Sequence, residues 1–332
     1  MRKVRIAQIG VNENSHSFQV FKSLKRQDDI FEIVGFALPE NERTRLPGVV
    51  KNLAGYPEMT LEELLGDPTI EAVTVETDEV YLTKYARLAA DHGKHIHMEK
   101  PGSPSLPDFE KLIETVKEKN LIFHTGYMYR YNPFVVELMN KIEAGELGDI
   151  ISVEAQMNCL HPPKVRRWLK NFPGGMMFFL GCHLIDLIYR IQGEPKRIIP
   201  LNKCSHMDGV TAKDFGMAVF EYENGVSFAK TSAVETGGFL RRQLVVSGTK
   251  GTVELKPFEV CVDGLQYTDR TECFDPGWHT PGETSRSPMH DRYDTMMASY
   301  AAMVRGDKKN PFTPDYELAM FKALLRACGE EL

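Results

Sequence analysis

The chain has 332 residues, of which 42% are hydrophobic and 26% charged, and its formal net charge is -6. This length fits two domains that each bury a core of their own, and the composition is far from that of disordered chains. The chain has 40 basic and 46 acidic side chains, and no basic run with interleaved aromatic residues, which argues against nucleic acid as a partner.

The sequence predicts neither a leader peptide nor a membrane span. The first ten residues begin with basic side chains, but their apolar stretch is short and contains Gln8, which indicates a β-strand. The most apolar later segment, Met176–Ile191, carries three titratable side chains and would cross a bilayer only at high cost. The six cysteines form no CxxC pair, a pattern typical of thiols in a reducing compartment. We therefore expect a cytoplasmic protein.

Short β-branched runs alternate with amphipathic helical patterns from residue 4 to about residue 125. Such alternation is typical of βαβ units, so residues 1–125 are predicted to form a doubly wound α/β domain with a parallel sheet. The predicted strands are Val4–Ile9, Ile33–Ala37, Ala72–Thr77, His95–Glu99 and Ile122–Thr125, and the predicted helices are Ser17–Arg26, Leu61–Leu65, Tyr81–His92 and Leu106–Lys119.

Longer alternating runs after residue 150 predict an α+β domain over residues 126–332, with a large, open, mostly antiparallel sheet. Asn224-Gly225 suits a type I′ hairpin turn, because both residues tolerate positive φ, and Gly248–Gly251 marks a second hairpin. Cys273–Pro288 is rich in Pro, Gly, Ser and Thr and predicts a long loop. The predicted strands are Ile151–Asn158, Arg197–Asn202, Phe215–Tyr222, Val226–Val234, Arg241–Gly248 and Thr252–Leu255, and the closing helices are Tyr293–Val304 and Pro314–Cys328.

The turn after the first strand lies where a dinucleotide-binding loop would lie, because backbone amides and a helix N-terminus there bind a pyrophosphate. Its glycine pattern is incomplete. Gly10 occupies the first position of GxGxxG, whereas Asn12 and Ser15 occupy the other two; Asn and Ser accept tight turns and cap helices. An ordinary strand-to-helix turn explains this stretch equally well, since short motifs often match by chance.

The end of the second strand lacks the acidic residue that usually binds an adenosine ribose. Leu38 stands there, and Glu40 is a substitute two residues later. Arg43 and Arg45 follow and suit either a 2′-phosphate or a solvated loop. This stretch leaves the choice between NAD and NADP open.

His95 and His97 alternate on a predicted strand, so both imidazoles point to the same side. A metal site would need a third ligand at suitable spacing, and none is evident. We therefore predict no metal and interpret both histidines as packed polar residues.

Glu99-Lys100-Pro101 follows the fourth predicted strand, at the edge of an open α/β sheet where ligands bind. An amine partly desolvated beside a nicotinamide cation would lose its proton more readily and could accept a proton from a hydroxyl as hydride leaves the same carbon. Taken by residue type alone, a surface lysine before a proline turn is the simpler interpretation.

An ordered set of motifs covers nearly the whole chain. It consists of Glu99-Lys100-Pro101, Gly126–Pro133, Gly145–Gly148, Gly174-Gly175, Gly181–Asp186 and Val246–Val253. Together these motifs resemble the Gfo/Idh/MocA family. The resemblance implies an N-terminal Rossmann domain, a C-terminal domain whose open sheet often forms oligomers, and NAD(P)-linked redox chemistry on sugars or cyclitols.

The resemblance also implies site residues. Lys100 and His183 would act as acid and base, with Asp186 on the same helix face to orient the histidine. The predicted substrate-binding residues are Lys100, Tyr127, Arg130, Phe179, His183 and Asp186. The predicted cofactor-binding residues are Gly10, Asn12, Glu13, Asn14, Ser15, Glu40, Thr77, Glu99 and Lys100, with Arg167 and Trp168 covering the nicotinamide, and NAD is preferred to NADP. A basic surface loop with one buried tryptophan explains Arg167 and Trp168 equally well.

The sequence departs from the family at Phe179. Many members carry an aspartate there, four residues before the motif histidine, and an apolar ring cannot relay a proton. Three explanations remain: catalysis by Lys100 and His183 alone, a ring that stacks on a sugar face, or loss of turnover. We favour the first two, because Lys100 and His183 are both present.

The leading hypothesis is an NAD(P)-dependent oxidoreductase that acts on a hydroxyl or keto group of a sugar, glycoside or cyclitol. One alternative is a redox-neutral enzyme that retains NAD and uses transient oxidation for glycoside cleavage or epimerisation. Another is a catalytically silent sugar- or nucleotide-binding paralogue. We expect a homodimer or homotetramer formed through the C-terminal sheet.

Overall fold

The computed structural model describes residues 2–332, which divide into two compact units. The first unit contains the residues up to Tyr127 together with Tyr293–Ala319. The second contains Met128–Arg292 together with Met320–Leu332. The two units are described separately.

The first unit is built on a five-stranded parallel sheet with the strand order β2-β1-β3-β4-β5. These strands are β1 (Val4–Ile9), β2 (Phe31–Ala37), β3 (Ala72–Val75), β4 (His95–Met98) and β5 (Phe123–Thr125). The chain runs from β1 to β2 on one side and to β3 on the other, so the strand order reverses between β1 and β3. The crevice at such a switch point is where open α/β sheets bind ligands.

Helices connect these strands, and their apolar stripes are buried. They are α1 (Ser17–Arg26), α2 (Glu42–Arg45), α3 (Pro47–Val50), α4 (Leu61–Gly66), α5 (Leu82–Asp91) and α6 (Leu106–Glu118). The start of α4 is fixed by a capping box, in which Thr60 and Glu63 satisfy each other's backbone N–H groups. The predicted doubly wound architecture is confirmed, and each predicted strand and helix of this half ends within two residues of the observed one.

The second unit contains an eight-stranded mixed sheet with the strand order β15-β14-β11-β10-β6-β9-β8-β7. All its pairs are antiparallel except β6 with β9, which confirms the mostly antiparallel sheet. The strands of this unit, which include the separate β12-β13 hairpin, are β6 (Ile150–Asn158), β7 (Arg197–Pro200), β8 (Phe215–Glu221), β9 (Val226–Ser232), β10 (Gln243–Gly248), β11 (Thr252–Leu255), β12 (Val260–Val262), β13 (Leu265–Tyr267), β14 (Asp269–Cys273) and β15 (Glu283–Arg286).

One face of this sheet is covered by a helix that carries the motif histidine. The helices here are α7 (Pro133–Glu143), α8 (Pro163–Trp168) and α9 (Cys182–Gln192), and a π-helical turn, Met177–Gly181, leads into α9. α9 packs on β6 and β9, whose inward side chains Val153, Ala155 and Met157 are fully buried. Within residues 2–332, none of the helices combines the length and the apolar content that a bilayer crossing requires.

Two local predictions are wrong. Cys273–Pro288 is not one long loop, because β14 pairs with β15 in a hairpin. β8 and β9 do form the predicted hairpin, but neither Asn224 nor Gly225 has the positive φ of a type I′ turn. A Cβ on Gly225 would lie 1.8 Å from the Ile151 carbonyl oxygen, so close backbone approach is what requires glycine there.

The last two helices are α10 (Asp294–Val304) and α11 (Pro314–Cys328), as predicted. α10 packs against the parallel sheet rather than joining residues 126–332. Ser23 Oγ donates to Asp294 Oδ1 (2.6 Å), and the Tyr300 hydroxyl donates to the Val73 carbonyl (3.4 Å). These contacts explain why Tyr293–Ala319 belongs to the first compact unit, in contrast to the predicted domain division; the units separate within α11.

The Gly225 contact leads to a stability prediction. Gly225→Ala should lower the free energy of unfolding by about 2 kcal/mol or more, because the new methyl group overlaps backbone. Gly66→Ala is the control: a Cβ there meets nothing within 4 Å, and alanine favours the helical backbone, so stability should stay equal or rise by up to about 1 kcal/mol. Urea unfolding followed by circular dichroism measures both variants, and equal stabilities would contradict the packing described here.

Candidate active site

The residues that directly follow the parallel strands stand side by side at the carboxyl edge of the first sheet. Ile9 pairs with Val75, and Val75 pairs with Met98. The next residues along these strands are Gly10, Glu76 and Glu99. Their backbones continue the ladder, since the Glu76 N–H donates to the Ile9 carbonyl (2.9 Å) and the Glu99 N–H to that of Val75 (3.0 Å). Two carboxyl groups, those of Glu76 and Glu99, therefore follow one another on the β3 side of the predicted dinucleotide turn.

The turn after β1 requires glycine at its first position. Gly10 has a φ of +76°, and a Cβ on it would lie 2.3 Å from Thr77 Cγ2. Asn12 holds the following residues: its Nδ2 donates to the Thr77 carbonyl (3.3 Å) and to Glu79 Oε2 (2.6 Å), and its Oδ1 accepts from the Asn14 N–H (2.8 Å). Asn12 thus stands at a glycine position of the motif, and its side chain joins the turn to the residues after β3 by hydrogen bonds.

The remaining residues of this turn fit a phosphate-bearing ligand. Ser15 is only 8% exposed, and its hydroxyl has no hydrogen-bond partner among the described residues. Glu13 is exposed and Asn14 half-buried. A close-packed glycine, a buried hydroxyl left to donate or accept, and the start of α1 are features that suit the pyrophosphate of a dinucleotide.

The end of β2 offers one ordered carboxylate. Glu40 Oε1 accepts hydrogen bonds from Lys84 Nζ (3.1 Å) and from the Tyr85 hydroxyl (2.5 Å). Burial raises the pKa of Glu40, but these two donors outweigh it and hold the pKa below the usual value. Arg43 pairs with Glu58, and Arg45 is exposed. Glu40 is therefore ionised and held in place just beyond the strand.

Lys100 lies in a buried group of carboxyls, which we call the Lys100 cluster: Glu76, Glu79, Glu99 and Lys100. All four residues are at least 98% buried. Lys100 Nζ is 3.6 Å from Glu99 Oε1. Among the described residues, neither carboxyl oxygen of Glu76 has a hydrogen-bond partner, and Glu79 Oε2 accepts from Asn12 Nδ2 (2.6 Å). Three acids thus share one cation in a site from which water is excluded.

Burial and mutual repulsion shift the pKa values of these acids. Burial raises the pKa of Glu76 well above its usual value, the carboxyls of Glu99 and Glu79 raise it further, and Lys100 opposes the shift. Burial raises the pKa of Glu79 to about 8, again against Lys100. Burial also raises the pKa of Glu99, which Lys100 partly offsets by charge and hydrogen bonding. The cluster therefore retains protons at neutral pH.

The two strand histidines have structural partners. His97 Nδ1 lies 2.7 Å from His124 Nδ1, and His97 Nε2 lies 3.6 Å from Glu76 Oε1. Burial lowers the pKa of His97 to about 3, so its ring is neutral. His95 Nδ1 accepts from the Ile122 N–H (3.0 Å). Across residues 2–332, no group of three His, Cys, Asp or Glu side chains is arranged to bind a metal ion.

In the second unit, Arg130 and Asp186 form a buried, bidentate ion pair. Arg130 Nε donates to both carboxylate oxygens of Asp186 (3.1 and 3.0 Å), and Arg130 Nη2 donates to Oδ1 (2.6 Å). Both side chains are about 99% buried. The pair ties the segment after β5 to α9, so Asp186 orients Arg130, and its predicted role in orienting His183 stays a prediction.

His183 is 2% exposed and meets the ring of Tyr129 edge-on, with centroids 4.9 Å apart. Tyr129 is itself fixed: its hydroxyl donates to Glu259 Oε1 (2.8 Å), and Phe258 stacks on its other side at 5.0 Å. Glu259 also accepts from Arg242 and Arg292, which overcome the effect of burial and lower the pKa of its carboxyl. A rigid ionic network thus supports the aromatic wall beside His183.

Phe179 belongs to an apolar cluster. Its ring is 6% exposed, packs among buried residues that include Leu169 and Met176, and meets Trp168 edge-on at 5.0 Å. Arg167 beside that tryptophan is exposed, whereas its neighbour Arg166 is buried. Phe179 therefore fills the core at the position where an aspartate would need a polar partner.

The structure brings together some predicted residues and adds others. Gly10, Asn12, Thr77, Glu99 and Lys100 meet at one edge of the first sheet. Tyr127 lies two residues after the end of β5 and is fully buried, and its N–H donates to the Thr125 carbonyl (2.7 Å). Sequence reasoning missed Glu76 and Glu79, although an acidic residue at the end of a strand of small and β-branched residues, with a second one three residues later, was a signal. It also missed Tyr129 with Glu259, since 130 residues separate them.

Comparison with known proteins agrees with this geometry. Residues 4–127 match the model of an oxidoreductase family with an NAD-binding Rossmann fold, and residues 135–254 match the GFO/IDH/MocA C-terminal domain. Together with the switch-point turn, these matches define an NAD(P)-dependent oxidoreductase. The chain belongs to the Gfo/Idh/MocA family, which confirms the resemblance of its motifs.

Individual relatives are distant. The uncharacterized oxidoreductase YhhX of Escherichia coli is 30% identical over 42% of this chain, and the match spans only 40% of YhhX. D-xylose 1-dehydrogenase (NADP(+)) 2 of Haloferax volcanii is 26% identical over 78% of this chain and 85% of its own length. Levoglucosan dehydrogenase, solved with NADH and levoglucosan, has the same fold (TM-score 0.78, 18% identity, 99% of this chain and 98% of that chain).

The raised pKa of Glu79 predicts a pH-dependent stability. Between about pH 4.5 and about pH 8, folded Glu79 keeps a proton that the unfolded chain has released, so the protein loses stability as pH rises through this window. Glu79→Gln removes that loss and keeps an oxygen that accepts from Asn12. The free energy of unfolding of Glu79→Gln minus that of the unsubstituted protein should be about 1–3 kcal/mol larger at pH 8 than at pH 5, so the variant gains relative stability as pH rises.

The matched control is Glu62→Gln, which changes an exposed glutamate on α4. Its difference from the unsubstituted protein should be the same at both pH values. Urea titrations at pH 5 and pH 8 measure all three proteins. A Glu79→Gln effect that does not change with pH would show that Glu79 titrates normally.

Proposed function

We propose that this protein interconverts a hydroxyl and a keto group on a sugar, glycoside or cyclitol, with Lys100 and His183 as acid and base and NAD as the preferred nucleotide. The observation that carries the proposal is the position of Lys100: it is buried at the carboxyl edge of the parallel sheet and directly follows Glu99, which is in the same row as Gly10. The names of the related xylose and levoglucosan dehydrogenases support a carbohydrate substrate.

The dinucleotide would be held by Gly10, Asn12, Glu13, Asn14, Ser15 and Thr77 around the turn, with Glu99 and Lys100 at the next strand end. When bound, it supplies the acceptor or donor of hydride. Glu40 would bind the adenosine ribose, because an ionised carboxylate accepts from the ribose hydroxyls and repels a 2′-phosphate. Arg167 and Trp168 are proposed to cover the nicotinamide.

Lys100 takes the proton of the substrate hydroxyl during oxidation and returns it during reduction. Glu99 Oε1, 3.6 Å from Lys100 Nζ, is the acid best placed to receive the ammonium proton of Lys100, which frees the amine to take the proton of the substrate. His183 serves as the second proton carrier or hydrogen-bond donor, and its ring is kept in one orientation by the Tyr129 edge contact.

Substrate-binding roles are also proposed for Tyr127, Arg130, Phe179 and Asp186, either by contact with the substrate or by support of residues that make such contact. Since Asp186 takes up three hydrogen bonds of the Arg130 guanidinium, this pair supports the α9 segment that carries His183. The burial of Phe179 among apolar side chains favours catalysis by Lys100 and His183 without an aspartate there over a ring stacked on sugar. Homodimers or homotetramers through the open sheet of the second unit complete the proposal.

The test begins with mass spectrometry of the purified protein for retained nucleotide, followed by NADH and NADPH binding and turnover on a panel of sugars and cyclitols. NADH should bind more tightly than NADPH. Lys100→Met should lower kcat about 100-fold or more, because a positioned acid or base contributes at least that factor. Lys111→Met, a change at an exposed lysine of α6, is the control and should leave kcat unchanged.

Several outcomes of this test discriminate between functions. Turnover undiminished in Lys100→Met would overturn the mechanism. Product formed without net NADH would identify the redox-neutral alternative. Nucleotide and sugar binding without turnover on any substrate would identify a silent binding protein.

A further inference from the structure

We propose that Glu76 and Glu79, acting with Glu99, make the affinity of this chain for oxidised nicotinamide nucleotide exceed its affinity for the reduced form, with coupled release of a proton to the buffer. The inference rests on the proposed nucleotide binding but concerns acids to which that proposal gives no role. It assigns to Glu76 and Glu79 the recognition of the positive charge that distinguishes the oxidised ring from the reduced one.

The three acids lie at the ends of the strands that hold the predicted nucleotide turn. Glu76 and Glu99 each directly follow a strand, on neighbouring strands in register, and Glu76 is beside Gly10 in the same row. Asn12 joins the Gly10 turn to Glu79 through a 2.6 Å hydrogen bond. All three acids are therefore fixed to the backbone that forms the predicted nucleotide turn.

The charges in the Lys100 cluster do not balance when all three carboxyls are ionised. The groups that act on these acids are Lys100 and Asp78 and, on the side of β4 and β5, the neutral His97 with its partner His124. One ammonium cannot balance three ionised carboxyls in a space without water, so at least one carboxyl keeps its proton. The raised pKa values of Glu76 and Glu79 agree with this balance.

Binding of the oxidised nucleotide is linked to the loss of a proton from the cluster. A positive ring beside the cluster stabilises the ionised form of a carboxyl, so the O–H bond of one acid breaks and its proton passes to the buffer. The reduced ring is neutral and has no such effect. By reciprocity, loss of the proton as pH rises must strengthen binding of the oxidised form relative to the reduced form.

The same balance gives the cluster a part in turnover. When a substrate hydroxyl is oxidised, the Lys100 ammonium first passes a proton to an ionised acid of the cluster, and the neutral amine then takes the O–H proton of the substrate, while the hydride of the C–H bond would go to a bound nucleotide. Lys100 ends as an ammonium again and the acid ends protonated, so the cluster loses one negative charge as a bound nucleotide would lose its positive charge. No further oxidant or co-reactant is needed.

Isothermal titration calorimetry tests this inference with NAD⁺ and NADH as probes. Titrations at pH 7.5 in buffers that differ in ionisation enthalpy give the number of protons released on binding. The unsubstituted protein should release up to about one proton with NAD⁺ and close to none with NADH. Between pH 6 and pH 9, the ratio of NAD⁺ to NADH affinity should rise about tenfold.

Two variants separate a charge effect from a structural one. Glu79→Gln keeps the hydrogen bond from Asn12 but cannot ionise, so proton release should fall and the rise in the affinity ratio should shrink. Glu62→Gln changes an exposed glutamate that is not part of the cluster, and it should behave like the unsubstituted protein. A thermal melt of each variant with NADH checks that it is folded.

The results distinguish failure of the inference from failure of the proposed function. Equal proton release with NAD⁺ and NADH, or an unchanged pH dependence in Glu79→Gln, would overturn the role of the cluster while nucleotide binding stands. If neither nucleotide binds, the proposed function itself is overturned, and the inference falls with it.

Discussion

The structure depends most on the burial of Lys100 with three glutamates at the carboxyl edge of its parallel sheet. Buried strands rarely end in buried acids, because each ionised carboxyl without a partner costs several kcal/mol. Here the cost is limited in two ways: Lys100 supplies one positive charge, and protonation removes part of the negative charge. Such a site responds to any charge that binds beside it, which is a property that redox chemistry with a charged nucleotide can use.

The second unit follows a different principle, since its buried charges are paired. Arg130 and Asp186 satisfy each other with three hydrogen bonds, and Glu259 is matched by two arginines and Tyr129. Removing one partner from such a pair leaves a buried charge uncompensated, which makes these networks rigid supports. Contact with Tyr129 extends that support to His183, whereas Phe179 contributes apolar packing alone.

Sequence reasoning predicted the architecture well because periodicity follows directly from burial. The strands of the parallel sheet, six of the eight strands of the second sheet and the last two helices were found from alternation and helical spacing, and Gly10 and Lys100 were found from their place after strands. The turn type at Gly225 could not be predicted, because the contact with the Ile151 carbonyl is made across the sheet. The same limit applies to the Arg130–Asp186 pair, to the Tyr129–Glu259 bond and to the docking of α10 on the first sheet, which all join residues far apart in the chain.

The central claim is that the Lys100 cluster holds a proton on a buried carboxyl at neutral pH and that Glu79 is part of this balance. Infrared spectroscopy of the nucleotide-depleted protein, with glutamate labelled by ¹³C at the side-chain carboxyl, observes protonated and ionised carboxyls separately. The account predicts a protonated glutamate band at pH 7 that titrates near pH 8 and is weakened or shifted in Glu79→Gln. A spectrum in which all glutamates are ionised at pH 7 would contradict it.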